Sequence, residues 1–358
     1  MALPFFDSAI GRKRDLVMGV DLGSRTTKAV CVARRSSGFA LTGFALLDAP
    51  IYEKSLPPDL LGEHLKAVNQ ALQSPTRYIS LTVGVNDAHV RHADLPRMPI
   101  PDMRQVLKLS SKSYLQQDLP GHVFDCHLCA PDRHAKANDR SRDQGGPPKQ
   151  RVLVAGARKQ LLEDMVEGAK NAGLVIDCVI PGLVSPVNSF EKTLPEVFAK
   201  EAVALVDLGF KNSSICIVQE GQLMLSRVVG IGGDRMTNSL AEHLGIGYAE
   251  ADGIKIGMPG EVEPQLDSLL VPLGRELRAS IDFFEHQHDR PVTQVFVTGG
   301  AARSEFILQR LHRELMVECG ILNPVGALQL ELPPQQSADI EHLAPQLAVA
   351  LGAALAAL

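Results

Sequence analysis

Two stretches of the chain place an acid, a glycine and small polar residues directly after an apolar strand. The first is Asp21-Leu22-Gly23-Ser24-Arg25-Thr26-Thr27-Lys28, and the second is Asp207-Leu208-Gly209-Phe210-Lys211-Asn212-Ser213. Glycine lets backbone amides come close to an anion, and hydroxyls add further donors, so such turns suit phosphate oxygens. A carboxylate repels phosphate. It suits a hard cation such as Mg²⁺, which takes oxygen ligands and keeps several waters. One such turn also closes ordinary hairpins, whereas two copies can grip a single phosphate tail from both sides.

Two further glycine turns extend the pattern. Gly230-Ile231-Gly232-Gly233 precedes the helical stretch "DRMTNSLAEHL", and Gly299-Gly300-Ala301 joins the strand "QVFVT" to the helix "SEFILQRLHREL". A strand–glycine–helix junction lets a flat base or a phosphate lie against backbone at a helix N-terminus. Cys126-His127-Leu128-Cys129 has the spacing of a metal pair, but it sits in a stretch that reads as a strand. There positions i and i+3 face opposite ways, and structural zinc sites use two such pairs, so no metal is expected.

The elements that must position these residues repeat. Aligning Asp21 with Asp207 also matches Val20/Val206, Leu22/Leu208 and Gly23/Gly209 without a gap, a repeat offset of 186 residues. Residues 16–50 and the stretch from 202 both read as a three-stranded meander, turning at Ser37-Gly38 and Glu220-Gly221. A helix over 59–73 and a strand over 78–85 follow the first meander. Residues 86–180 have a different grammar: strands near 89–95, 122–128, 151–156 and 174–180, with helices over 102–116 and 158–172. Within them 131–150 is polar, glycine- and proline-rich with a basic excess, which predicts a mobile solvated loop.

The organisation expected is therefore a flexible leader (1–14) and a first lobe (15–85) completed by 181–201 and a C-terminal helix (343–358). An extra subdomain (86–180) and a second lobe (202–342) make up the rest. The leader carries Phe5-Phe6 and Arg12-Lys13-Arg14 but lacks the apolar core of a secretory signal. "LAPQLAVALGAALAAL" is apolar all round and shorter than the ~20 residues that span a bilayer, so a buried helix is expected. At 358 residues with 45% apolar content, the chain suits two lobes of a soluble α/β protein. Net charge of -5 speaks against general nucleic-acid binding, and six scattered cysteines fit a reducing cytoplasm.

These residues resemble the actin/Hsp70/sugar-kinase superfamily, with Asp21-Leu22-Gly23-Ser24 and Asp207-Leu208-Gly209 as its phosphate motifs. Val297-Thr298-Gly299-Gly300-Ala301 resembles its adenosine motif. Within the superfamily the chain is similar to the PilM family, cytoplasmic actin-like proteins of type IV pilus assembly related to the division protein FtsA. The likeness rests on "GVDLGSRTTKAV", "VLVAGARKQLLEDMVEGAKNAGL", "GIGGDRMTNSLAEHLGIGYAEADGIKIG" and the C-terminal "LAPQLAVALGAAL". It implies an actin-like ATPase fold: two similar lobes around a nucleotide cleft, with an FtsA-like extra subdomain in the first lobe.

The resemblance also implies roles. Gly23, Ser24, Arg25 and Thr26, with Lys28, would contact the β- and γ-phosphates of ATP from one lobe, and Gly209 and Asn212 from the other. Asp21 and Asp207 would organise Mg²⁺. Gly232 and Gly233 would lie beside the ribose and phosphates, Gly299, Gly300 and Ala301 would line the adenine, and Lys255 would flank the nucleoside. Asp252 stands where Glu is more common. Fast hydrolysers in the superfamily place Gln or Glu in the segment "DCVIPGLVSPVNSFEK", which here has no carboxylate or amide between Asp177 and Asn188, the two that could substitute. ATP binding with slow or negligible turnover is expected. The partners implied are the N-terminal cytoplasmic peptide of a PilN-type inner-membrane protein, bound on the first lobe and its extra subdomain, then pilus motor ATPases and self-association. The place implied is the cytoplasm at the inner face of the inner membrane. The alternatives are an FtsA-like membrane filament protein, which calls for a basic amphipathic C-terminal helix, and a small-molecule kinase, which needs an extra acid in the cleft.

Overall fold

A computed structural model describes residues 14–53, 55–130 and 148–358. Residues 1–13 of the expected leader and 131–147 of the expected mobile loop lie outside the described residues. The first apolar runs form an antiparallel meander of β1 (Leu16–Leu22), β2 (Thr26–Arg35) and β3 (Gly38–Asp48). Val30, Cys31, Val32 and Ala33 are all buried, as in a strand covered on both faces. Helix α1 (Pro58–Leu72) turns Leu61, Leu65, Val68 and Leu72 to the core, and β4 (Tyr78–Val83) pairs in parallel with β1.

The chain then leaves this sheet. Strands β5 (Ala88–Pro96), β6 (His122–Leu128) and β7 (Lys149–Arg158) make a small antiparallel sheet in the order β5-β7-β6. Helix α2 (Ile100–Leu115) covers one face, where Met103, Leu107 and Leu115 pack with Leu95, Phe124 and Val152. Cys126 belongs to this core, and burial pushes its thiol up to about 12. The other face, with Val90, Leu153 and Ala155, joins the main core.

Helix α3 (Lys159–Asn171) returns the chain to the first lobe. It packs on α1, and β8 (Val175–Pro181) pairs in parallel with β4. The separate sheet thus ends at Arg158, and not at residue 180 as the grammar of 86–180 suggested. The reason is topological: two parallel neighbours need a crossover, and α3 supplies its helix.

Helices α4 (Ser185–Thr193) and α5 (Pro195–Lys200) lead into the second lobe. Its meander is β9 (Ala202–Leu208), β10 (Ser213–Gln219) and β11 (Gln222–Val229). Glu220 and Gly221 both have positive φ, 47° and 79°, the type I′ geometry that matches strand twist. Helices α6 (Gly233–Leu244), α7 (Tyr248–Gly257) and α8 (Glu263–His288) precede β12 (Gln294–Thr298), α9 (Glu305–Leu315) and β13 (Cys319–Ile321). The sheet order β11-β10-β9-β12-β13 repeats the order β3-β2-β1-β4-β8 of the first lobe. The internal repeat is architectural.

The closing segment belongs to the first lobe earlier than expected. Strand β14 (Gln329–Leu330) pairs with β3, and Val325, Leu328 and Ile340 pack against Val30, Val32 and Leu41. A two-residue strand in a proline- and glycine-rich link has no period to read, so the boundary at 342 could not be placed from sequence. Helices α10 (Pro334–Leu343) and α11 (Ala348–Ala357) follow. Pro334–Ala357 is long and apolar enough to cross a membrane by length and composition, but 67% of its most apolar window is buried inside the fold. Backbone touches backbone here: a Cβ on Gly19 would sit 2.1 Å from the Ala350 carbonyl oxygen, and one on Gly352 would sit 1.8 Å from that of Ser185.

Candidate functional site

The ends of β1 and β9 meet at a cavity of about 640 Å³ between the lobes. Each hairpin enters it with the same construction. In the first, Asp21 lies opposite Lys28 across the β1–β2 pair, and a Cβ on Gly23 would meet the Thr26 carbonyl oxygen at 2.5 Å. In the second, Asp207 lies opposite Ser214, and a Cβ on Gly209 would meet the Asn212 carbonyl oxygen at 2.7 Å. The Gly209 N–H donates to that same oxygen at 3.1 Å. Only glycine closes either turn this tightly. The third motif arrives behind Asp207: Gly299 has φ +94°, and a Cβ there would lie 2.6 Å from Asp207 Oδ1.

The acids of the two hairpins meet at one lysine. Asp21 Oδ2 accepts from Lys28 Nζ at 3.1 Å, and Asp21 Oδ1 accepts from Thr82 Oγ1 at 3.2 Å. Burial works to discharge the Lys28 amine, but the Asp21 and Asp207 carboxylates outweigh it and hold the pKa above its usual value. Burial raises Asp207 to about 6, with Asp21 adding to the rise and Lys28 opposing it. Two carboxylates therefore share one ammonium. They present hard oxygen donors to the cavity, which fits a hydrated divalent cation.

A second polar cluster lies on the second lobe. Lys255 Nζ donates to Asp252 Oδ1 at 2.6 Å and to Thr237 Oγ1 at 2.6 Å, and Thr237 Oγ1 donates to Asp252 Oδ1 at 3.1 Å. Asp252 Oδ2 accepts from Arg25 Nη2 of the first lobe at 2.9 Å. Burial favours the neutral acid, yet the bonds from Lys255 and Arg25 win and hold Asp252 at about 2. The Arg25 guanidinium also lies over the Phe210 ring, 5.3 Å from its centroid.

Asp21, Gly23, Ser24, Arg25, Thr26 and Lys28 all line the cavity, as do Asp207, Gly209, Asn212, Gly233, Lys255, Gly299, Gly300 and Ala301. Gly232 does not. It is the N-cap of α6, and its missing Cβ makes room for the backbone of Phe210 and Lys211, since a Cβ there would sit 2.4 Å from Phe210 O. Arg25 reaches the opposite lobe. Asp177 and Asn188, the substitutes considered for orienting water, are both elsewhere: Asp177 accepts from Arg14, and Asn188 donates to the Gly352 carbonyl beneath α11. The junction after Gly299 is also longer than read, since a 3₁₀ turn (Gly300–Arg303) intervenes and Ser304 caps α9. Thr82 was missed, although a lone threonine in the apolar β4, which runs beside β1, was its signal. Phe210, Ile256 and Ile307 also line the cavity, and no spacing in the sequence marked them.

Two lobes of one strand order, each delivering an acid–glycine hairpin to a shared cleft, define an actin-like α/β protein. A solved PilM-PilN type IV pilus biogenesis complex matches with TM-score 0.82 at 22% identity, covering 97% of this chain and 99% of that one. MreB5 of Spiroplasma citri bound to AMPPNP matches with TM-score 0.51 at 8% identity, with 95% of each chain covered. The family model described as type IV pilus assembly protein PilM matches residues 141–358, and the chain belongs to that family. Among curated proteins, cell division protein FtsA of Bacillus subtilis is 20% identical over 67% of this chain, and FtsA of Streptococcus pneumoniae 18% identical over 83%. The chain spans only 57% and 66% of the length of those two proteins.

Proposed function

We propose that the chain binds ATP with magnesium between its lobes and serves as a nucleotide-controlled scaffold of type IV pilus assembly. The observation that carries this is the meeting of two acid–glycine hairpins at one cavity with Gly299-Gly300-Ala301 at its side. The amides and hydroxyls of Gly23, Ser24 and Thr26 take phosphate oxygens from the first lobe, and those of Gly209 and Asn212 take them from the second. Lys28 adds a cation at the phosphates. Asp21 and Asp207 hold the metal, which when bound neutralises phosphate charge. Gly233, Lys255 and Asp252 flank the ribose, and Gly299, Gly300 and Ala301 take the base with Ile256 and Ile307. Phosphoryl transfer to water needs a group that orients the nucleophile. Asp177 and Asn188, the two groups of the crossover segment able to do so, make other contacts, with Arg14 and with the Gly352 carbonyl, which supports slow or negligible turnover.

Nucleotide that touches both lobes favours the closed arrangement by its differential affinity for it. That closure is proposed to set binding of the N-terminal cytoplasmic peptide of a PilN-type inner-membrane protein, at the inner face of that membrane. The matching solved structure is a complex of PilM with PilN. Contact with pilus motor ATPases and self-association are further expectations of the same reading. The test is fluorescence anisotropy of a labelled PilN-type N-terminal peptide titrated with the full chain, with and without ATP and Mg²⁺. A peptide affinity that shifts with nucleotide supports the reading. Identical isotherms would refute the coupling.

A further inference from the structure

One ion pair bridges the mouth of the cleft, and its place is not explained by phosphate binding. Arg25 sits in the first-lobe hairpin, yet its guanidinium contacts the second lobe: Asp252 at 2.9 Å and the face of Phe210. The Asp252 carboxylate is fixed in turn by Lys255 and Thr237, on α7 and α6. The Arg25 side chain is 48% exposed and that of Asp252 only 12%, so the arginine reaches from the solvent side to a largely buried carboxylate. Neutral hydrogen bonds also link the lobes, Thr298 Oγ1 donating to the Pro345 carbonyl and Cys216 Sγ to that of Leu183.

We propose that the Arg25–Asp252 pair is a strap across the nucleotide cleft that sets how long nucleotide stays bound. The strap rests on the ATP-binding reading above and deepens it. Arg25 then acts through the second lobe and not as a phosphate ligand. Nucleotide leaves only after the pair and the Phe210 contact have broken, so the strap slows release.

The test is the release of radiolabelled ATP from the full chain, chased with excess unlabelled ATP, for the unaltered protein, Arg25→Ala, Asp252→Asn and the double variant. A charge-assisted pair of this kind predicts release about tenfold faster in each single variant. The double variant is then no faster than the quicker single one, because both substitutions break the same contact. Multiplying effects in the double variant would overturn the strap and return Arg25 to the phosphates. Unchanged release in Arg25→Ala with ATP still retained would overturn the strap alone. Failure of the unaltered chain to retain ATP would overturn the nucleotide reading and the strap with it.

Discussion

Asp207 is the residue whose removal should reveal what the cleft costs the fold. Its carboxyl is raised from 3.8 to about 6 by burial, which Lys28 only partly offsets and to which Asp21 adds a smaller rise. Below pH 3.8 the acid is neutral in folded and unfolded chains alike, and its charge costs nothing. Between 3.8 and about 6 the unfolded chain ionises and the folded one does not, so stability falls as pH rises. Above about 6 the loss is complete and constant. Two units correspond to about 3 kcal/mol, which solvent reaching a cavity-lining group reduces to about 1–2 kcal/mol. Asp207→Asn keeps the shape and abolishes the charge. Without nucleotide or magnesium it should be more stable than the unaltered protein at pH 8, and the gap should close as pH falls towards 4. Urea unfolding followed by circular dichroism across that range measures it, since the chain has no tryptophan to report by fluorescence. A gap independent of pH, or an unaltered protein that is the more stable at pH 8, would refute the electrostatic account.

Other outcomes follow from single contacts. Thr82→Val removes the hydroxyl that Asp21 accepts from and keeps the shape, so affinity for magnesium ATP by calorimetry should fall about tenfold with the thermal midpoint nearly unchanged. Lys28→Met takes away the ammonium shared by two carboxylates, and the Asp207 carboxyl, followed by carbon-detected NMR, should titrate above its present value of about 6. Gly352→Ala sets a methyl into the Ser185 carbonyl, and overpacking of this kind should cost about 3 kcal/mol or more in urea unfolding.

How far the sequence reached depended on what each signal was made of. The repeat at Asp21 and Asp207 was legible because strand burial, tight turns and glycine are local demands, each written within a dozen residues. The apolar α11 was legible as a buried helix because no face of it is polar. Limits of the units were harder: β8 joins the first sheet through a pairing with β4 that depends on everything folded between them, and β14 is too short for any period. Arg25 was singled out, but its partner is 227 positions away, a separation that no local pattern encodes. Gly232 illustrates the converse. A glycine in the right motif can serve backbone packing beside a site and not the site itself.

Magnesium ATP titrated calorimetrically into the full chain, and into Asp21→Ala and Asp207→Ala, tests the central claim most directly. The account predicts saturable binding of one nucleotide per chain, lost in both variants while their circular dichroism spectra stay unchanged. Absence of heat with the unaltered chain, or full affinity surviving in either variant, would contradict it.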